Sequence, residues 1–166
     1  MKMITKSMAL TVLSLCVAIS TLCAACVGAP VSVQETALSF TDVQGKEWEL
    51  IEVRIAPQNI PLDRVTLAEE GFADVFTLSF DAGQLQGKGV PNRYRGPYEA
   101  GEGQSLKIKN IAATLMAAFR EPEGLKEYEY FAYLQNTYRW NIDKGNLELF
   151  TKNEDGREAV LVYTAE

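Results

Sequence analysis

The sequence predicts an α+β domain, a curved antiparallel sheet or incomplete β-barrel with one packing helix. Two observations carry this. Short runs in which apolar and polar residues alternate are separated by clusters of Gly, Pro, Asn and Asp, the pattern of strands joined by tight turns. One segment around residue 130 instead spaces its apolar residues as a helix does. A single helix among hairpins buries its apolar side by covering the sheet.

The first strand begins near Lys46. Trp48 and Leu50 share a face, with Glu47 and Glu49 opposite, and the apolar phase then passes to Ile51, Val53 and Ile55. Such a switch predicts a bulge or a strand buried on both sides. Pro57 and Pro61 bracket a loop, and Leu62 to Phe72 reads as a short irregular helical piece closed by Gly71. Phe76, Leu78 and Phe80 alternate with Thr77 and Ser79, Asp81-Ala82-Gly83 turns, and Gln84 to Lys88 returns as a hairpin.

Leu106 and Ile108, alternating with Lys107 and Lys109, form the next strand. Pro122 suits a first helical turn. Leu125, Tyr128, Phe131, Ala132 and Leu134 then fall on one side of the helix, with Lys126, Glu129 and Tyr133 on the other. Tyr138, Trp140 and Ile142 alternate with Arg139 and Asn141. Asp143 to Asn146 turns into Leu147 to Phe150, and Asn153 to Gly156 turns into the apolar run Ala159 to Tyr163, which reads as an interior strand.

Ahead of this domain, assigned to residues 45–166, residues 1–25 have the parts of an export signal. Lys2 and Lys6 supply the positive start, an apolar run extends from Met8 to Ile19, and Ala24 and Ala25 precede Cys26. The apolar core is shorter than the ~20 residues that span a bilayer, which favours a removed leader. Leu22-Cys23-Ala24-Ala25-Cys26 resembles a lipobox, with Cys23 where leucine is usual. Lipid on Cys26 would anchor the chain in the bacterial envelope, with the outer membrane the expected site and residues 26–44 as tether. Two acyl signals suffice for stable attachment. The alternative is ordinary cleavage after Ala25 or Ala29, which gives a periplasmic or secreted protein. Within the tether, Ala37 to Phe40 could add a short strand.

Composition removes several function classes. The chain has 166 residues, 47% hydrophobic and 23% charged, an ordinary globular balance. Its net charge is -6, and loss of Lys2 and Lys6 with the leader would make it more negative still. That leaves no electrostatic footprint for nucleic acid. There is no histidine, and Cys16, Cys23 and Cys26 all precede the domain. Ser-His-Asp and Cys-His nucleophilic sites are therefore absent, as are ordinary zinc sites. Neither a metal nor a cofactor is expected. The carboxylate pairs Glu69-Glu70, Glu121/Glu123 and Glu127/Glu129 read as solvated surface, and a carboxylate-only hydrolase is the remotest alternative. Asn153 to Gly156 lacks the spacing of a calcium loop.

The most unusual stretch is Gly87-Lys-Gly-Val-Pro-Asn-Arg-Tyr-Arg-Gly-Pro-Tyr98. Its glycines and prolines predict that regular pairing stops here. Two readings stand. In one, the segment closes an end of the barrel, with Asn92 a buried turn-former and the tyrosines a plug. In the other, Asn92, Arg93, Tyr94, Arg95 and Tyr98 form a binding lip, Arg93 and Arg95 being a close basic pair in an acidic domain.

Trp48-x-Leu50, Phe76-x-Leu78-x-Phe80, Gly87-x-Gly89-Val-Pro-Asn92-x-Tyr94-x-Gly96-x-Tyr98, Ala113-Thr114-Leu-Met116-Ala and Leu147-x-Leu149, in that order, resemble the META domain (HslJ-like) family over about residues 45 to 164. In many members two facing cysteines stand where this chain has Pro91 and Ala118, so a barrel end held by packing, with no redox role, is implied. The resemblance also implies a small α+β half-barrel of the bacterial envelope, often a lipoprotein. It further implies links to heat shock, stress response or secretion, and no established enzymatic activity. The fold looks like that of secretin pilot lipoproteins. A monomeric, non-catalytic binder of an envelope protein, peptide or acyl chain is the expectation, with a structural, stress-protective lipoprotein as the alternative.

Overall fold

The computed structural model describes residues 38–153 and 155–166. The leader, Cys26 and the tether up to residue 37 lie outside the described residues. Ser39 caps a single 3-10 turn at Phe40–Asp42, where a short strand was a possibility. This turn belongs to the domain rather than to the tether. Val43 is fully buried, and the Trp48 indole N–H donates to its carbonyl at 2.9 Å.

The first strand, β1 (Glu47–Ile55), carries the expected bulge between Leu50 and Glu52, so that Trp48, Leu50 and Val53 all reach the core. A two-residue strand, β2 (Ile60–Pro61), returns along it. Helix α1 (Arg64–Glu69) follows, capped by the Asp63 carboxylate, and contributes Leu67 to the core. Strands β3 (Thr77–Asp81) and β4 (Gln84–Lys88) form the expected hairpin.

The next strand, β5 (Arg93–Ala100), departs from expectation: the glycine- and proline-rich stretch is a regular eight-residue strand with alternating burial. Two features reconcile its composition with pairing. Any Cβ on Gly96 would lie 2.9 Å from the Lys109 carbonyl oxygen, so only glycine admits the chain segment that crosses there. Pro97 has no N–H to give, but its carbonyl accepts from Lys109 at 2.9 Å. Short strands β6 (Leu106–Ile108) and β7 (Ala112–Ala113) both pair with β5 on the side away from β4.

The main helix, α2 (Glu127–Gln135), starts later than Pro122 would have it, and its buried side differs from the expected one. Tyr130, Tyr133 and Leu134 face inward while Tyr128 is exposed. Tyr133, which the helical spacing puts on the solvent side, packs against β9 (Asn146–Lys152), where the Thr151 hydroxyl donates to the Tyr133 carbonyl at 2.6 Å. Strand β8 (Arg139–Asp143) precedes β9, and β10 (Glu158–Ala165) lies between β1 and β9 as the interior strand.

The main path of the sheet runs β6-β5-β4-β3-β1-β10-β9-β8, antiparallel throughout. Its ends meet through an isolated bridge, Ser105 to Arg139, with Leu106 N–H donating to Tyr138 O at 3.1 Å. The result is a nearly closed barrel with a seam. Two aromatic clusters fill it. Phe40, Phe80, Tyr98 and Trp140 pack together near the β3–β4 turn, with ring centroids 4.9–5.2 Å apart. Phe76, Tyr94, Tyr130 and Phe131 pack beneath α2, toward the β4–β5 connection.

Candidate binding face

The alternation of β5 divides the five residues of the expected lip. Asn92, Tyr94 and Tyr98 are buried; Arg93 and Arg95 are exposed on the opposite face. They do not form one surface, and the inward three are part of the framework. Tyr98 sits in the far aromatic cluster and bonds the Gln44 side chain at 2.6 Å.

Asn92 is a hub. Its Oδ1 accepts from the Met116 backbone N–H at 2.8 Å and from the Thr114 hydroxyl at 2.7 Å. Its Nδ2 donates to the Met116 carbonyl at 3.0 Å and to Glu127 Oε2 at 2.6 Å. The side-chain amide thus pairs with Met116 as a neighbouring strand would. Where the resemblance implied packing in place of a disulfide, the two motifs are joined by this amide clamp. Gly89, which leads into the turn, packs so close to Glu127 and Phe131 that a Cβ would fall 2.6 Å from Glu127 Oε1.

Behind it lies a buried tyrosine chain. The Tyr94 hydroxyl donates to the Thr77 carbonyl at 2.8 Å and shares a 2.9 Å hydrogen bond with Tyr130, which accepts from Tyr163 at 3.4 Å. Burial pushes all three phenols up, Tyr130 to about 12, because a phenolate would be stranded without water. Gly87 makes the arrangement possible. A Cβ there would collide with the Thr77 carbonyl oxygen and lie 2.7 Å from the Tyr94 hydroxyl.

Three of the six carboxylates singled out in the sequence have hydrogen-bond partners, and Glu127 is thereby framework and not solvated surface. Glu127 holds Asn92, Glu129 accepts from the Lys126 N–H at 2.9 Å, and Glu121 accepts from the Glu127 N–H at 3.1 Å. No cluster of three or more metal-ligating side chains occurs among the described residues.

Outside the barrel the register lays polar residues in rows. Glu47, Ser79, Gln86 and Arg95 stand side by side and end at the small Ala112. Glu49, Thr77, Lys88 and Arg93 form the next row. All of these but Glu49 line a groove of about 680 Å³ that also takes in Asp74 and Thr114. Lys88 is engaged by Asp74 at 2.5 Å, which holds that carboxyl below its usual range. Neither Arg93 nor Arg95 donates a side-chain hydrogen bond or forms an ion pair with any described residue.

Next to the groove, the chain after β7 exposes a run of apolar side chains. Leu115 is 100% exposed, Met116 is 55% exposed, and Phe119 projects completely. The segment is nonetheless anchored at both ends, by Asn92 to Met116 and by Arg120, which bonds the Glu70 carbonyl and lies over the Phe72 ring. Leu115 and Met116 stand inside the Ala113-Thr114-Leu-Met116-Ala motif and Phe119 lies beyond it, and the motif by itself says nothing of their exposure. A five-residue run of Leu, Met, Ala and Phe with no polar alternation was the available signal. Nothing in the local pattern marks Glu127, Tyr130 and Tyr163 as partners of Asn92 and Tyr94.

Among solved structures, a protein from Burkholderia xenovorans determined by NMR matches with a TM-score of 0.55 and 18% identity. The match covers 75% of this chain and 83% of that one, and supports the fold alone. A DUF4847 family protein from Bacteroides vulgatus matches with a TM-score of 0.49 and 16% identity, over 75% of this chain and 95% of that one. No curated protein matches. The family comparison covers the barrel, the Asn92 clamp and the exposed segment together: the META domain model matches residues 41–166, and the chain belongs to that family.

Proposed function

We propose that this META domain is a non-catalytic binding module of the bacterial envelope. It is carried by a lipid on Cys26 and engages its partner through the outer face of β5 and the segment that follows β7. The observation that carries the reading is one juxtaposition. Two arginines with no side-chain partner among the described residues border a groove in an acidic chain, and fully exposed Leu115 follows directly on Thr114 of that groove, with Phe119 four residues further on. Exposed large apolar side chains on a fixed backbone are costly in a free protein and mark contact surfaces. The structural role of Asn92, Tyr94 and Tyr98 fits this division: the inward residues build the platform, the outward ones meet the partner.

Two experiments test the two halves. Intact mass of the membrane-fraction protein, compared with Cys26→Ser, is expected to reveal a diacylglyceryl adduct on a chain beginning at Cys26. An unmodified chain would make the protein periplasmic or secreted. For binding, a photo-crosslinker placed at Phe119 in growing cells is expected to yield a discrete adduct that the same group at Val65, exposed on α1, does not. Identical patterns from both positions would remove the binding reading and favour a structural, stress-protective lipoprotein.

A further inference from the structure

We propose that the partner segment is an extended peptide with acidic side chains two residues apart, which adds as a strand along the open edge of β7. This rests on the binding reading above and specifies its ligand. Among the described residues β7 pairs with β5 alone, Ala113 opposite Tyr94 and Ala112 opposite Arg95. Thr114 continues the ladder, its N–H donating to Arg93 O at 3.0 Å. Backbone groups of successive residues in an antiparallel ladder point to opposite sides, so Ala113 turns its N–H and C=O toward the open edge. An incoming strand finds a donor and an acceptor there, the usual basis of strand addition.

The register then dictates side-chain chemistry. Arg93 and Arg95 are two positions apart on one face, as are Ala112 of β7 and Thr114 just after it beside them. An added strand places its own outward residues, also two apart, just beyond these short side chains. A guanidinium reaches over alanine or threonine to a carboxylate with the fork geometry that favours bidentate pairing. Neither guanidinium has a hydrogen bond or ion pair to give up among the described residues, so both are available for it.

An apolar neighbour of the acidic pair also has a place to go. Fully exposed Leu115 follows directly on Thr114, whose N–H continues the ladder to Arg93. An apolar residue flanking the two carboxylates would meet it.

The test uses the full exported chain and three labelled ten-residue peptides of alternating glutamate and valine, read by fluorescence anisotropy. One is unmodified, one is N-methylated at alternate residues, and one carries lysine for glutamate. The unmodified acidic peptide is expected to bind. Combined Arg93→Ala and Arg95→Ala substitution is expected to weaken it at least tenfold, with unchanged thermal melting. N-methylation, which removes edge donors and leaves charge intact, is expected to cost a similar factor. Equal binding by the N-methylated or lysine peptide, or indifference to the double substitution, overturns the proposal. So does binding to phosphatidylglycerol vesicles through Phe119 in place of any peptide. If the adduct from Phe119 in cells persists in the double variant, the binding module stands and the acidic strand does not. If no adduct forms from Phe119, both readings fall.

Discussion

Glu127 grips Asn92 from two directions: Oε1 accepts its backbone N–H at 2.8 Å while Oε2 accepts its side-chain Nδ2 at 2.6 Å. One carboxylate on the first turn of α2 therefore fixes both the position and the amide orientation of a buried side chain on another element. Replacing Glu127 with Ala leaves two donors without partners at a largely buried site. The expected loss is about 2–4 kcal/mol, the range for charge-assisted bonds whose donors are then stranded. Asn92→Ala is expected to cost a similar amount and to expose the segment after β7 to proteolysis. Urea denaturation and limited trypsin digestion at Arg120 check both.

Gly87 and Gly83 make a paired test of the tyrosine chain. Gly83 has a left-handed φ of 80° and open space around it, so Gly83→Ala costs about 1–2 kcal/mol of backbone strain. Gly87→Ala drives a methyl into the Thr77 carbonyl, which cannot rotate away, and is expected to cost more than about 3 kcal/mol. The expected outcome is soluble, folded Gly83→Ala and little folded Gly87→Ala, read by circular dichroism.

Tyr94, Tyr130 and Tyr163 make the fold sensitive to alkali. Unfolded tyrosines ionise near pH 10. The folded Tyr130 is pushed up to about 12 and the other two are raised well above their ordinary value. Above pH 10 the folded state thus holds more protons than the unfolded one, and stability falls as pH rises. Below pH 10 their contribution is fully present. The slope is about 1.4 kcal/mol per pH unit for each phenol between pH 10 and 12. Tyr163→Phe, which removes only a 3.4 Å bond, is expected to shallow the alkaline decline by about a third. Urea midpoints at pH 9, 10 and 11 measure it.

Trp140 is 2% exposed, yet its indole N–H meets no acceptor among the described residues. Its ring does the packing, 5.2 Å from Phe40. Trp140→Phe loses ring area but also relieves an unsatisfied donor that costs about 1–3 kcal/mol. The net change is expected within about 1.5 kcal/mol, well short of the 3–5 kcal/mol of a Trp→Ala truncation. A melting temperature for both variants separates the two terms.

Where side-chain alternation and turn chemistry agreed, the fold was legible. The β3–β4 hairpin, the bulge after Leu50 and the interior position of β10 all follow from local pattern. Strand β5 was not, because Gly96 and Pro97 are poor strand formers and their acceptance depends on a distant segment, Lys109 to Ile111, that no local window contains. Tyr133 failed for a related reason: a tyrosine beside Glu129 reads as solvent-facing until its neighbour across the sheet is known. Of the site, Asn92 as a turn-former and Arg93 with Arg95 as an outward pair were readable. The Glu127 contact, 35 residues on, was not.

The seam between β6 and β8 gives the barrel a line along which it comes apart first. Elsewhere on the main path neighbouring strands are joined by ladders of at least three residue pairs; here one bridge and one flanking bond hold. Opening there exposes the Phe40–Trp140 contact while the β1–β10–β9 ladders stay intact, a partial unfolding well below the global free energy. Amide deuteration is therefore expected at Leu106 long before Leu161, and the protein breathes sideways through its wall.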